Sequence, residues 1–202
     1  GSKLEEEKVL VFPGDPECVS DILLDDDRLL VVVEHKQLMV YDTENDYRRL
    51  IVDNTLVTIP DYVIRCVKRL STDQYVIVNI NRKLRRSVIS IHDKQDLTRI
   101  SSATLDKLIT ATHCTDTLIS VGCSDGSVLT FTSDLHKISS TSPHSFSVTS
   151  VAVVDSVVVS GSADGTINVV SVMVLTRHFD GVVLFLLSLI VLLLARMVSS
   201  RG

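Results

Sequence analysis

The feature that most constrains this chain is that it repeats itself. Four short alternating runs end in similar ways: Leu38-Met39-Val40-Tyr41-Asp42, Val88-Ile89-Ser90-Ile91-His92-Asp93, Val128-Leu129-Thr130-Phe131-Thr132 and Ile167-Asn168-Val169-Val170-Ser171. Aligned on Tyr41, His92, Phe131 and Val170, they are spaced by 51, 39 and 39 residues. Asp125-Gly126 stands ahead of Phe131 as Asp164-Gly165 stands ahead of Val170, and each pair follows a β-branched, small-residue run, Leu118–Gly122 or Val157–Gly161. Asp-Gly between two such runs is the strongest short-range hairpin signal. Gly126 is therefore expected to need a positive φ, where a β-branched residue is a genuine outlier. Gly161 is expected where strand backbones pack closely.

A period near 40 residues, with four strands per repeat and a Trp-Asp-like ending, predicts an all-β, WD40-type β-propeller. The Trp-Asp column is degenerate here, reading Tyr-Asp, His-Asp, Phe-Thr and Val-Ser. About four blades are expected within residues 1–175: Cys18 to Leu56, Tyr62 to Leu105, Leu108 to Ser140 and Val148 to Val174. The second period is lengthened by Val57–Asp61 and by the basic stretch Asn81-Arg82-Lys83-Leu84-Arg85-Arg86. Four blades is the lower limit for a closed propeller, and an open one leaves sheet edges exposed. Either further blades precede these or a partner closes the ring. An antiparallel sandwich is the other architecture that such strands allow.

The hydrophobic fraction of 45% excludes a disordered chain, and much of it gathers at the C-terminus. Val182 to Leu194 carries no charge and seven leucines. A buried core helix is one reading of so short a run. With Arg196 snorkelling, the span extends over 182–198, roughly 26 Å of helix against about 27 Å for an endoplasmic-reticulum bilayer core. One C-terminal transmembrane helix is expected at 182–198, after a linker at 176–181 and before a lumenal tail at 199–202. An anchor so late in the chain is completed after the rest is made, which predicts a cytosolic N-terminal domain. Arg177 is offset by Asp180, so flanking charge does not set the orientation.

The order of these parts, a degenerate propeller and then a single membrane helix, resembles the endoplasmic-reticulum membrane guanine-nucleotide exchange factors that activate the small GTPase of the COPII coat. This is the prolactin regulatory element-binding protein family. Three stretches carry the likeness: Lys83-Leu84-Arg85-Arg86 ahead of Val88–Asp93, Leu118–Gly122 with Asp125-Gly126-Ser127-Val128, and Pro143-His144-Ser145-Phe146-Ser147-Val148-Thr149. The resemblance implies a membrane-anchored exchange factor at the endoplasmic reticulum, with that GTPase and the membrane as partners and no covalent chemistry. It also implies a glycine-rich, potassium-holding loop in an N-terminal blade, and nothing here matches it. Gly14, in Pro13-Gly14-Asp15-Pro16, is the only glycine between Gly1 and Ile100 and reads as a turn. No catalytic residue and no cofactor is expected. A non-catalytic, membrane-tethered WD-repeat scaffold is the alternative.

The remaining constellations are weaker. Asp25-Asp26-Asp27 reads as a hairpin turn rather than a cation site. His113, Cys114 and Cys123 lie on neighbouring strands but lack a fourth zinc ligand and suitable spacing. Ser160-Gly161-Ser162 lacks the strand-to-helix context of a nucleophile elbow. The four cysteines include no Cys-x-x-Cys pair, which favours a reducing compartment. Residues 61–100 carry a net charge of +5, whereas residues 1–50 carry −7. Arg82, Lys83, Arg85 and Arg86 are accordingly the candidate interaction patch, for anionic lipid or an acidic partner. The other reading is a solvated loop. Nucleic acid is not expected, since no aromatic platform accompanies the charges.

Overall fold

The computed structural model describes residues 18–172. They form fifteen strands in four antiparallel sheets, each a meander whose strands pair in chain order. Sheet 1 holds β1 (Val19–Asp25), β2 (Arg28–Val33), β3 (Gln37–Asp42) and β4 (Arg48–Leu50). Sheet 2 holds β5 (Val63–Arg69), β6 (Gln74–Asn81), β7 (Arg86–Asp93) and β8 (Arg99–Leu105). Sheet 3 holds β9 (Ile109–Cys114), β10 (Leu118–Cys123), β11 (Val128–Thr132) and β12 (Lys137–Thr141). Sheet 4 holds three strands, β13 (Val148–Val154), β14 (Val157–Ser162) and β15 (Ile167–Ser171). The four aligned columns of the sequence, Tyr41, His92, Phe131 and Val170, all fall on the third strand of their sheet. A fourth strand in sheet 4 would begin beyond Ser171, and residues from 173 on lie outside the described residues, as do 1–17. The expected membrane helix at 182–198, its linker and tail, and the Pro13–Pro16 turn fall there. Among the described residues no helix is long and apolar enough to cross a membrane.

Strand β6 shows why the sheets stack face to face. Side chains alternate across a strand, so a sheet covered on both sides needs apolar residues at every position. Tyr75-Val76-Ile77-Val78 supplies them, and all four are 0% exposed. Tyr75 and Ile77 pack with Leu30, Val32, Leu38 and Val40 of sheet 1. Val76 and Val78 pack with Ile109, Ile119, Val121 and Phe131 of sheet 3. Each such side chain contributes about 1.5–3 kcal/mol on burial. The first strands carry the succession: β1 meets β5, β5 meets β9, and β9 meets β13, with no comparable contact from β13 to β1.

The turns follow the sequence where their chemistry is local. Gly126 and Gly165 have φ of 84° and 81°. Asp26 and Asp27 form the β1–β2 turn expected of the aspartate triplet. Gly161 corrects the reading. A Cβ there would meet only Ser150 Oγ, at 2.9 Å. The close approach belongs to Gly122, where a Cβ would collide with the side chain of Val148, 2.6 Å from its Cβ. Gly122 sits at the joint between sheets 3 and 4, whereas Gly161 is on the far side of sheet 4.

Candidate interaction surface

The basic stretch forms the hairpin between β6 and β7. Asn81 pairs with Arg86 at its base, and Asn81 Oδ1 accepts the Leu84 N–H at 2.9 Å. Arg85 takes a φ of 54°, which closes the four-residue loop. Arg82, Lys83, Leu84 and Arg85 are exposed. Arg86 is held apart from the others by Asp106, its Nε donating at 2.8 Å. Arg82, Lys83 and Arg85 make no ion pair among the described residues.

This hairpin borders a cleft of about 580 Å³. Glu34, His35 and Asp61 form one wall, and Ile80, Arg82 and Lys83 the other. Arg82 and His35 also border a second cleft of about 460 Å³, where Arg65 and Leu108 join them. The walls are tied to the fold by backbone bonds. The Ile64 N–H donates to His35 O at 2.6 Å, and His35 Nδ1 lies 3.1 Å from Ile64 O. Arg65 Nη donates to Thr110 O at 2.9 Å. Three cations on a rigid loop beside apolar Ile80 and Leu84 suit a partner that is acidic and carries an apolar side chain.

The other constellations resolve into structure. Asp25 is 2% exposed and joins sheet 1 to sheet 2. Its carboxylate accepts the Tyr75 O–H at 2.9 Å and forms ion pairs with Arg69 Nη and Lys94 Nζ, each also at 2.9 Å. Desolvation lowers the Lys94 pKa, but the Asp25 and Asp27 carboxylates outweigh it and hold the ammonium charged. Burial, reinforced by Asp25, pushes the Tyr75 phenol well up. Sequence reading missed this cluster because Asp25 lies 44 to 69 residues along the chain from its three partners. His113 Nδ1 accepts the Val153 N–H at 3.2 Å and so links β9 to β13. Cys114 pairs across from Ile119 and Cys123 from Ile109, at opposite ends of the β9–β10 ladder, so the three do not converge. Burial raises the pKa of the Cys114 and Cys123 thiols, the latter to about 11.

Ser160 does meet a histidine. His144 Nε2 lies 2.8 Å from Ser160 Oγ, its Nδ1 lies 2.6 Å from Thr166 Oγ1, and Asp164 Oδ1 is 3.8 Å away. The order mimics a catalytic triad. Ser160, however, is 2% exposed and borders a space of about 10 Å³, at most one water's worth. The set is a lock: it pins the link before β13 to the β14–β15 turn, with Asp164 Oδ2 also accepting the Ser145 N–H at 2.8 Å.

A parallel lock holds sheet 3. Asp125 accepts from Lys107 Nζ at 2.8 Å and from the Ser127 N–H at 3.1 Å. Partial burial pushes its carboxyl up, but Lys107 and Ser127 outweigh that and hold it at about 2. A carboxylate depressed in the fold stabilises it above the unfolded value, about 3.9, and that contribution is lost as pH falls towards 2. The side chain is 42% exposed, so solvent screening limits the effect to about 1 kcal/mol. Between pH 5 and pH 2.5 the melting temperature is expected to fall further in the parent chain than in Asp125→Asn. Parallel falls would refute this role.

No protein-family model matches the chain, and no curated protein matches it. Solved structures do. The computationally designed Ika4 protein superposes with a TM-score of 0.66 at 15% identity, covering 84% of this chain and 100% of its own. The designed Ika8 protein superposes at 0.61 and 16% identity, covering 79% and 47%. Sqt1 of Saccharomyces cerevisiae superposes at 0.62 and 14% identity, covering 76% and 46%. The fold is of the β-propeller type. The four sheets are therefore blades, and the chain spans about half the length of the two larger neighbours.

Proposed function

We propose that this chain is a propeller-type protein-interaction scaffold held at a membrane by its C-terminal apolar run. The observation that carries the reading is the exposed triad Arg82, Lys83 and Arg85 on a hairpin whose backbone is fixed by Asn81. Exposed loop charges contribute little to stability, about 0–1 kcal/mol as pairs, but they steer encounter strongly at low salt. In its finer form, the proposal is that the scaffold sits on the endoplasmic reticulum and that its partner is the small GTPase of the COPII coat. The order of basic hairpin, Asp-Gly hairpin, His144-x-Phe146 link and apolar run supports that choice. Exchange activity would require contacts better to the empty GTPase than to its GDP-bound form. No segment here resembles the nucleotide-site loop of the exchange-factor family.

The test is direct. The GTPase is presented to the chain on anionic vesicles, and both binding and fluorescent-GDP release are followed. Binding with little acceleration of release is expected. Arg82→Glu/Lys83→Glu/Arg85→Glu is expected to weaken association about tenfold or more at low ionic strength and leave the melting temperature unchanged. Unchanged association at low salt would reduce the hairpin to a solvated loop. Strong acceleration of release would make the chain an exchange factor. Absence of binding would remove the GTPase from the proposal.

A further inference from the structure

The cleft beside the basic hairpin carries both signs of charge. Glu34 and Asp61 stand on one wall, and Arg82 and Lys83 on the other. Val63, Ile80 and Leu84 supply its apolar lining. Among the described residues Asp61 makes no ion pair, and Glu34 pairs only with Lys36, at 3.4 Å and exposed. Arg82 and Lys83 make none. Two carboxylates and two cations therefore border one space, and among the described residues no ion pair joins the walls. Charges held apart in this way are left to a molecule that enters between them.

The space continues as a groove. His35, Ile80 and Arg82 border both clefts, and Arg65, Leu108 and Thr110 line the second. The second cleft is bordered by no carboxylate. Arg65 donates one Nη N–H to Thr110 O at 2.9 Å and makes no ion pair among the described residues. The groove thus runs from a part that holds both signs of charge to a part that is purely cationic. Volumes of about 580 and 460 Å³ fall in the range of small-ligand sites, about 300–1,000 Å³. Both walls are fixed before anything binds. The β2–β3 turn is bonded to β5 through His35 and Ile64, and the hairpin is closed by Asn81. A site already formed loses little ordering entropy on binding.

We propose that this groove seats an extended peptide segment of the partner, with a basic, an apolar and an acidic side chain at alternate positions. The proposal rests on the reading of the basic hairpin as an interaction surface and names what enters beside it. In an extended chain successive side chains point to opposite faces, so residues i, i+2 and i+4 line the face turned to the groove. The basic side chain meets Glu34 and Asp61, the apolar one covers Ile80 and Leu84, and the acidic one meets Arg82, with Arg65 beyond. A segment with acids alone would be set against the two carboxylates, and like charges so placed disfavour the wrong partner. A flat anionic lipid surface reaches Leu84, 59% exposed, but not Ile80, 5% exposed, which a single inserted side chain covers.

The experiment uses the full chain in nonionic detergent at low ionic strength and follows the fluorescence anisotropy of labelled, end-blocked peptides. The probe is Ser-Lys-Ser-Leu-Ser-Glu-Ser, tried in both chain directions, and the control is the acid-only Ser-Glu-Ser-Leu-Ser-Glu-Ser. The mixed-charge probe has no net charge, so attraction by the hairpin alone would favour the control. The probe is expected to bind about fivefold tighter than the control. Glu34→Gln/Asp61→Asn is expected to weaken the probe about fivefold and to strengthen the control, a change of opposite sign. Arg82→Gln is expected to weaken both, whereas Arg85→Gln, which removes the same charge outside the groove, leaves both nearly unchanged. Unchanged melting temperatures show that the variants fold. Absence of binding by the probe in either direction overturns the proposal, as does a control that binds tighter than the probe. Equal losses from Arg82→Gln and Arg85→Gln would mean attraction by charge alone and also overturn it. Phosphatidylserine vesicles that bind through Arg82 where neither peptide binds would assign the groove to lipid and do the same. No arm of the experiment contains the GTPase, so failure of the peptide and failure of the GTPase to bind are separate results.

Discussion

Gly126→Ala is expected to destabilise the chain by about 3–5 kcal/mol, whereas Gly165→Ala costs about 1 kcal/mol. The two glycines occupy equivalent turns, with φ of 84° and 81°. Any L-residue at such a φ is strained by about 1–2 kcal/mol, and that cost is common to both variants. Their surroundings differ. A Cβ at Gly165 meets nothing within 4 Å. A Cβ at Gly126 collides with the His144 carbonyl, lying 2.8 Å from its carbon and 3.0 Å from Phe146 O. Both obstacles are backbone, in the link that carries the chain from blade 3 into blade 4, so neither swings aside as a side chain would. Overpacking of that kind adds about 1–3 kcal/mol. Gly126→Val is expected to be worse than alanine, since a β-branched side chain suits neither the space nor the φ. Thermal melts of the three variants beside the parent check this. Equal losses from Gly126→Ala and Gly165→Ala would mean that the link does not press on the turn.

Asp25→Ala is expected to cost about 3–5 kcal/mol, and Asp26→Ala next to nothing. Asp25 is the counter-ion of Arg69 and Lys94 and the acceptor of Tyr75, all in blade 2. Removing one partner of a buried pair leaves the other charge uncompensated, which is the expensive way to break it. Lys94 is 14% exposed in its side chain and Tyr75 is 0% exposed, so neither turns to water without opening the joint. Asp26, 71% exposed in its side chain, reaches Arg69 at 3.3 Å and contributes little as a surface pair. A urea titration of both variants measures the difference. Equal midpoints would show that the cluster is not what joins blades 1 and 2.

Legibility in the sequence followed the range of each interaction. The Asp125-Gly126 and Asp164-Gly165 turns were readable because the left-handed glycine, the aspartate and the flanking strands lie within a few residues. The strand columns at Tyr41, His92, Phe131 and Val170 were readable because a repeat writes the same pattern several times. Gly161 and Gly122 were confused because they occupy equivalent positions in successive blades. Only the stacking order tells which of them faces another sheet. Asp25 was read as one of three turn residues, yet it is the first strand's last inward position, and its partners come from another blade. His144 was quoted as part of a motif, but its bonds to Ser160 and Thr166 span 16 and 22 residues and depend on the β13–β14–β15 register. The basic hairpin was legible as charge, but the separation of Arg86 from its neighbours was not, because Asp106 belongs to the link after β8.

The succession of joints, blade 1 to 2 to 3 to 4, has a consequence for how force and fluctuation travel. Among the described residues each blade is steadied by its immediate neighbours alone, so the energetics are those of a row of dominoes rather than of a globule. Blades 2 and 3 are clamped from both sides. Among the described residues blade 4 leans on one neighbour, through Gly122, Val148 and the His113–Val153 bond, and β15 carries Ile167 and Val169 into water. A pull on the end of the chain near Val172 would peel β15, then β14, then β13 before blade 3 felt any load, much as a zip opens from its slider. Chain attached beyond that point would therefore pull first on a blade that is braced from one side among the described residues, and whatever covers blade 4's open face would also reinforce that end of the arc.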